Sequence, residues 1–342
     1  MIGATGIAGR HIAQELARRS DWDVVGVSRR PLDIEAEVAH LPVDLLDRSA
    51  VATAVGGLDG VTHVFHCGYV DRPTRQELVE PNVAMLRHVL DAVEGDGALQ
   101  HVNLMEGTKW YGSHLGPFRT PAREDDPRHL PPNFYYDQQD LLASRADAGG
   151  WTWSAARPHA ICGYAEGNAM NIVMVVAVYA AILRELDLPL RHPGSPANAD
   201  ALYNVTDAQL LARACAWMAT EPSAAGQAFN ITNGDAFRWR HLWEVVAEHF
   251  GMEIAEPRRT DLVEAMSGQA PVWEAIRRRH GLRDTPYERV VSWGYGNAVF
   301  GAEHDIVSST IRARQLGFAD CLDSQDMFAE HLRRLADDGI IP

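Results

Sequence analysis

Gly3-Ala4-Thr5-Gly6-Ile7-Ala8-Gly9 opens the chain and decides its fold. Glycines at 3, 6 and 9 let the backbone turn tightly and approach a pyrophosphate, which then rests on the N-terminus of the helix that follows. Residues 11–19 carry that helix, with apolar side chains at 12, 13, 16 and 17 in helical spacing. Only Met1 and Ile2 precede the loop where a full strand is usual, so the sequence reads as starting inside its first strand.

Asp23-Val24-Val25-Gly26-Val27-Ser28 reads as a strand at the distance a βαβ unit requires. A dinucleotide site specific for NAD usually places Asp or Glu at the end of this strand, to bind the ribose 2′-hydroxyl. Here Ser28-Arg29-Arg30 stand in its place, which suits a 2′-phosphate and hence NADP. The competing reading is two solvated arginines in a loop. Strands at 61–65 and 99–104 and a helix over 82–93 continue the alternation. The expected fold is α/β, a doubly wound parallel sheet.

Composition narrows the functions. Of 342 residues, 46% are hydrophobic and 23% charged, ordinary for a globular protein, and the net charge of −15 disfavours nucleic acid or an anionic membrane as partner. Four scattered cysteines form no CxxC pair, and 15 histidines form no HExxH motif. Reduced thiols, a cytoplasmic location and no metal are expected. The apolar run over 170–183 falls short of the ~18–20 residues that span a bilayer and reads as a buried helix.

Lys109 is the only lysine; the other 30 basic residues are arginine. It follows the strand at 99–104, at the carboxyl end where ligands bind in such sheets. Lysine is a compact cation whose pKa moves when it is desolvated, unlike arginine. A surface lysine in an arginine-biased chain is the plain alternative. Residues 112–132, rich in Pro, Gly, Arg and Asp, read as a long loop at the site mouth. A helix begins near Asn133-Phe134-Tyr135-Tyr136-Asp137, and a strand over 151–156 runs into Arg157-Pro158-His159-Ala160. Beyond 160 the alternation fades into helices at 170–186, 207–220 and 239–250 and short strands such as 228–232. The expected organisation is therefore a dinucleotide-binding domain over 1–160 and a smaller α+β substrate-covering domain over 161–342, with elements exchanged between them. Tryptophans 217, 239, 243 and 273 fall on helical patterns and read as core.

A tyrosine four residues before a lysine is the catalytic pair of the short-chain dehydrogenase/reductase superfamily. That spacing fails here, since Gln139 and Asp140 lie four after Tyr135 and Tyr136. The segments GATGIAG, SRR, GTKWYG with LGPF, NFYYDQQD, RPHAICG and AFNITNGDAFRWRHLW together closely resemble the progesterone 5β-reductase/iridoid synthase family over nearly the whole chain. These are atypical short-chain dehydrogenase/reductases, of the extended Rossmann type, that reduce activated C=C bonds. The resemblance implies Lys109 and Tyr135 as catalytic residues and NADPH as cofactor. It implies cofactor contacts from Gly3, Thr5, Gly6, Ile7, Gly9, Ser28, Arg29, Arg30, Asp44, Leu45, Gly68, Tyr135, Pro158, Ile161 and Met170, with Asn168 and Ala169 beside the last. It implies a substrate pocket with Tyr203 and Tyr295, joined by Tyr69 and Trp110.

On this reading Tyr135 binds the carbonyl oxygen of an enone as hydride adds to the β-carbon, and Lys109 adds a positive field that lowers the tyrosine's pKa. Departures from the family pattern fall at Met105, Glu106, Gly294 and Tyr295, and three extra residues follow Tyr111. The expected partner is a small-molecule enone, with a homodimer left open. Two other functions compete: a carbonyl reductase or nucleotide-sugar epimerase, and a non-catalytic NADP-binding regulator.

Overall fold

Ile2 bridges Val27 on one side and His66 on the other, parallel to both, and its N–H donates to the Phe65 carbonyl oxygen at 2.9 Å. The computed structural model describes residues 1–34, 36–95, 97–165, 167–168 and 170–342. In it, β1 (Val25–Ser28) pairs with β2 (Ala39–Pro42), while β3 (His63–His66), β4 (His101–Met105), β5 (Thr152–Pro158) and the strand Gln227–Ile231 form a second parallel set. Ile2 joins the two sets into one sheet. The order is β2, β1, Ile2, β3, β4, β5 and Gln227–Ile231. The helices α1 (Ile7–Ala17), α2 (Arg48–Ala54), α3 (Arg75–Val93) and α4 (Phe134–Gly149) connect the strands.

The central strand β4 is buried along most of its length, as a parallel strand covered on both faces must be. Its polar residues find partners across the ladder. The His101 ring meets Thr152 Oγ1 at 2.7 Å and Ser154 Oγ at 2.8 Å, and Asn103 Nδ2 donates to Ser154 Oγ at 2.9 Å.

Helix α3 starts earlier than the sequence suggests. The expected start is Asn82, after Pro81, but Thr74 caps the helix by accepting from Glu77 N at 3.2 Å, and Pro81 lies inside it. A proline interrupts the hydrogen-bond ladder, and the buried Asn82 takes up part of the slack by donating to the Leu78 and Val70 carbonyl oxygens at 2.8 and 2.9 Å. The second bond anchors the loop after β3, which reaches the site.

The second half is built on the helix Ile172–Glu185, buried on nearly every side against Trp239, Trp243, Trp273 and Phe328. The expected core tryptophans are placed accordingly, with Trp217 half-buried against Phe229 and Phe318. Residues 208–231 then return to the sheet. The helix Ala208–Thr220 packs on α1, and Phe229 and Ile231 pair with Ala156 and Pro158 of β5. Among the described residues, no helix is long and apolar enough to cross a membrane.

Candidate active site

The site is assembled at the carboxyl end of β4. Glu106 N–H donates to the Ala156 carbonyl oxygen at 2.8 Å, extending the pairing with β5 by one step. At Gly107 the chain leaves the sheet beneath Tyr135. A β-carbon there would stand 3.3 Å from Tyr135 Oη and 3.4 Å from the Pro158 carbonyl oxygen, so glycine is what lets the phenol come so close. A 3₁₀ turn, Thr108–Tyr111, then carries Lys109 and closes at Gly112, which has φ 81°.

Asn133 fixes the two expected catalytic residues with one side chain. Its Oδ1 accepts from Tyr135 N at 3.2 Å as the cap of α4, and its Nδ2 donates to the Lys109 carbonyl oxygen at 2.8 Å. Lys109 is exposed, yet surrounding protein partly desolvates it. Loss of solvation holds its pKa below the usual lysine range, and the Asp71 carboxylate opposes that shift. Tyr135 moves the other way from expectation. Burial first, and the Glu106 carboxylate second, raise its pKa, so it stays a neutral phenol and a hydrogen-bond donor.

Behind this pair lies a buried ion pair. Arg157 Nε donates to Glu106 Oε2 at 2.7 Å, and its other nitrogens reach Tyr111 Oη at 3.2 Å, the Glu124 carbonyl oxygen at 3.1 Å and Gln139 Oε1 at 3.1 Å. The guanidinium also lies 3.6 Å from the centre of the Trp110 ring, a cation–π contact. This corrects the expectation for Trp110. It is 4% exposed, covered by Arg157 and set edge-on to Tyr136 at 4.8 Å, so it braces the site from behind and is not open to a substrate.

On the β5 side, His159 Nδ1 meets Thr108 Oγ1 at 2.7 Å and its backbone N–H donates to Thr206 Oγ1 at 3.0 Å. Burial pushes its pKa down to about 3, leaving the ring neutral. Ala160 follows with φ 40°, a strained conformation for a residue with a β-carbon, and Ile161 pairs with Thr206. Tyr203 lies against His159, with ring centres 4.7 Å apart, and at 3% exposed it is as covered as Trp110, so it too is not open to a substrate; the partly buried Tyr295 is close enough to raise its pKa, after burial. Tyr69 is at the open side, 5.9 Å from the Phe134 ring, which is 4.4 Å from Tyr135.

The glycine loop forms the other end. Gly3 has φ 78°, and a β-carbon on it would come within 2.8 Å of the Cys67 carbonyl oxygen; one on Gly9 would come within 2.2 Å of the Gly3 carbonyl oxygen. Gly6 caps α1 without any side-chain bond, so the first N–H groups of the helix face the loop unclaimed by a cap. Thr5 is half-buried and Ile7 buried there. Leu45 and Gly68 lie side by side, since a β-carbon on Gly68 would lie 3.1 Å from Leu45 Cδ1. Asp44 is exposed and accepts from Leu46 N at 3.1 Å.

Ser28 is turned inward. Its hydroxyl donates to the Arg30 carbonyl oxygen at 2.7 Å and meets His40 Nε2 at 3.1 Å, shaping the turn that leaves Arg29 and Arg30 at the surface. Met170, 42% exposed, donates from its N–H to Asn168 Oδ1 at 3.0 Å; Ala169 lies outside the described residues. Sequence reasoning missed Asn133, His159 and the Glu106–Arg157 pair. Only Asn133 carried a usable signal, as a capping residue type directly before a helix.

The profile of the PRISE-like Rossmann-fold domain family matches residues 3–325. An (S)-8-oxocitronellyl enol synthase of Camptotheca acuminata is 36% identical over 365 aligned positions, covering 100% of this chain and 92% of its own. A 3-oxo-Δ4,5-steroid 5β-reductase of Arabidopsis thaliana is 34% identical with the same coverage. Among solved structures, a Thermus thermophilus UDP-glucose 4-epimerase complexed with NAD superposes with a TM-score of 0.66 at 17% identity, covering 97% of both chains. That last likeness concerns the fold.

Proposed function

The chain belongs to the PRISE-like Rossmann-fold family, and from that premise we propose that it is an NADPH-dependent enone reductase. The reaction is hydride addition to the β-carbon of an α,β-unsaturated carbonyl. The observation that carries this reading is Tyr135 Oη over Gly107, tied through Asn133 to the chain's only lysine. A reductase or steroid-acting enzyme among the relatives supports the reaction class.

The residues at the glycine loop fit a dinucleotide. Gly3 and Gly9 leave the space a β-carbon would fill, and Gly6 presents the uncapped N-terminus of an 11-residue helix, where phosphate binds well. Thr5 and Ile7 would hold the pyrophosphate, Asp44, Leu45 and Gly68 the adenosine, and Pro158, Ile161 and Met170 the nicotinamide half. Arg29 and Arg30 would bind the 2′-phosphate, on the turn that Ser28 and His40 shape. When bound, the cofactor supplies the hydride.

The chain's own groups handle the charge. As the β-carbon gains hydride, electrons move onto the carbonyl oxygen and an enolate forms. Tyr135, held neutral by burial, donates a hydrogen bond to that oxygen from a fixed position. Lys109 adds a positive field, and its partial desolvation makes one charge count for more than in water. Glu106, with its charge held by Arg157, keeps the phenol from ionising and so keeps its proton available for donation.

The test is NADPH oxidation with 2-cyclohexen-1-one and identification of the product. A saturated ketone, lost in Tyr135→Phe, supports the reading. An allylic alcohol would assign a carbonyl reductase instead.

A further inference from the structure

Arginines gather on one side of the glycine loop, in a chain whose net charge is −15. A β-carbon on Gly167 would stand 3.1 Å from Arg30 Nη1, and 3.5 and 3.6 Å from Arg289 Nε and Nη2. Two guanidinium groups from distant parts of the chain thus meet over one glycine. Gly167 has φ 68°, in the left-handed region that favours glycine. Arg10, on α1, adds a third cation: its guanidinium lies 5.8 Å from the centre of the Tyr164 ring, and it pairs with the exposed Asp33 at 3.7 Å. Tyr164, Gly167, Arg283 and Arg289 line one small cavity. Of its two arginines, Arg283 is committed elsewhere, donating from Nε to the Asp338 carbonyl oxygen at 3.0 Å.

This point is tied to the glycine loop. Asn168 follows Gly167 directly, and its Nδ2 lies 3.9 Å from where a β-carbon on Gly6 would stand. At Gly6 the N-terminus of α1 offers its N–H groups to a pyrophosphate. Arg30 comes from another direction, off the turn after β1 that Ser28 and His40 shape. Arg289 belongs to the second half of the chain, on the short helix Tyr287–Val290. Tyr287 anchors that helix: its Oη donates to the Met266 carbonyl oxygen at 3.0 Å and accepts from Trp293 Nε1 at 2.9 Å. An exposed arginine therefore reaches Gly167 from a fixed backbone.

We propose that Arg289 is a cofactor-binding residue: together with Arg30 it holds the 2′-phosphate of NADPH, so that the second half of the chain takes part in choosing NADPH over NADH. The inference rests on the reading of the glycine loop as a dinucleotide site. Two cations held this close repel each other, and a phosphate dianion between them relieves the repulsion while gaining charge-assisted bonds to both. Arginine suits the task, because its planar fork of donors matches the oxygens of a phosphate. The pyrophosphate fits less well as the shared group. It lies along Gly6 and the start of α1, whereas Arg30 reaches Gly167 from the turn at the ribose end.

Calorimetric titration of the intact protein with NADPH, NADH and adenosine 2′,5′-bisphosphate tests this without turnover. Arg289→Ala should weaken NADPH and the bisphosphate by about tenfold and leave NADH nearly unchanged. Arg289→Lys keeps the charge and loses the fork, so it should recover part of the loss. Arg30→Ala, titrated alongside, reports on the cofactor reading itself.

An unchanged NADPH affinity in Arg289→Ala overturns the role of Arg289; if Arg30→Ala has lost affinity at the same time, the cofactor reading stands. Equal weakening of NADPH and NADH overturns the assignment to the 2′-phosphate. A natural protein that binds neither dinucleotide overturns both readings.

Discussion

Arg157 holds Glu106 at 2.7 Å with both side chains out of solvent, at 2% and 0% exposure. Among the described residues Glu106 Oε1 has no hydrogen-bond partner, so Arg157 makes the side-chain bond that holds the carboxylate. Burial still raises its pKa, with Arg157 opposing. Arg157→Met should therefore destabilise the protein by about 3–5 kcal/mol, because it strands a buried charge, whereas the double variant Glu106→Leu, Arg157→Met should recover much of the loss. Urea unfolding of the single and double variants measures this.

Tyr135→Phe removes the hydroxyl over Gly107 and leaves the ring contact with Phe134 in place. The expected loss in kcat for enone reduction is about 10²–10³-fold, with a melting temperature close to that of the natural protein. Lys109→Met should lose activity in the same direction. Retention of full turnover in either variant would remove that residue from the mechanism.

Asn133→Ala separates positioning from stability. As a helix cap its loss should cost about 1 kcal/mol. It also frees the Lys109 backbone from the start of α4, so kcat should fall further than that stability loss accounts for. Comparing the melting shift with kcat at saturating cofactor checks the distinction.

Arg29→Ala with Arg30→Ala should weaken NADPH by about tenfold or more, as charge-assisted phosphate contacts go, and leave NADH nearly unchanged. The ratio of kcat/KM for the two cofactors reads this directly. An unchanged ratio would return the arginines to the role of solvated loop residues.

Acid should destabilise the fold through buried imidazoles. Burial takes His66, His101 and His192 from 6.5 to about 4, and His159 to about 3. The unfolded chain therefore binds more protons than the native one between pH 6.5 and about 4, and stability must fall as the pH drops through that window. Calorimetric melting temperatures should decline as the pH falls below 6.

What the sequence made legible was local. The glycine loop, the Arg29–Arg30 turn and the Asn133-to-Tyr136 segment each carry their expected meaning within a few residues. The pairing of Glu106 with Arg157 spans 51 positions and joins two charges that a sequence reading assigns to the surface. Trp110 shows the same limit at shorter range. It follows Lys109 directly, but the 3₁₀ turn sends the two side chains to opposite sides, one outward and one under Arg157. The early start of α3 was hidden by Pro81, whose usual meaning is a helix boundary.

The pairing of Gln227–Ile231 with β5 has a consequence for synthesis on the ribosome. When Pro158 emerges, the strand that ends at the site has an open edge, and the helix that covers α1 has not been made. An exposed strand edge invites pairing with another chain. The nascent protein carries that exposure until residue 231 has cleared the exit tunnel, so slow translation across 159–226 should favour aggregation, and a chaperone that shields this edge should raise the yield of folded protein.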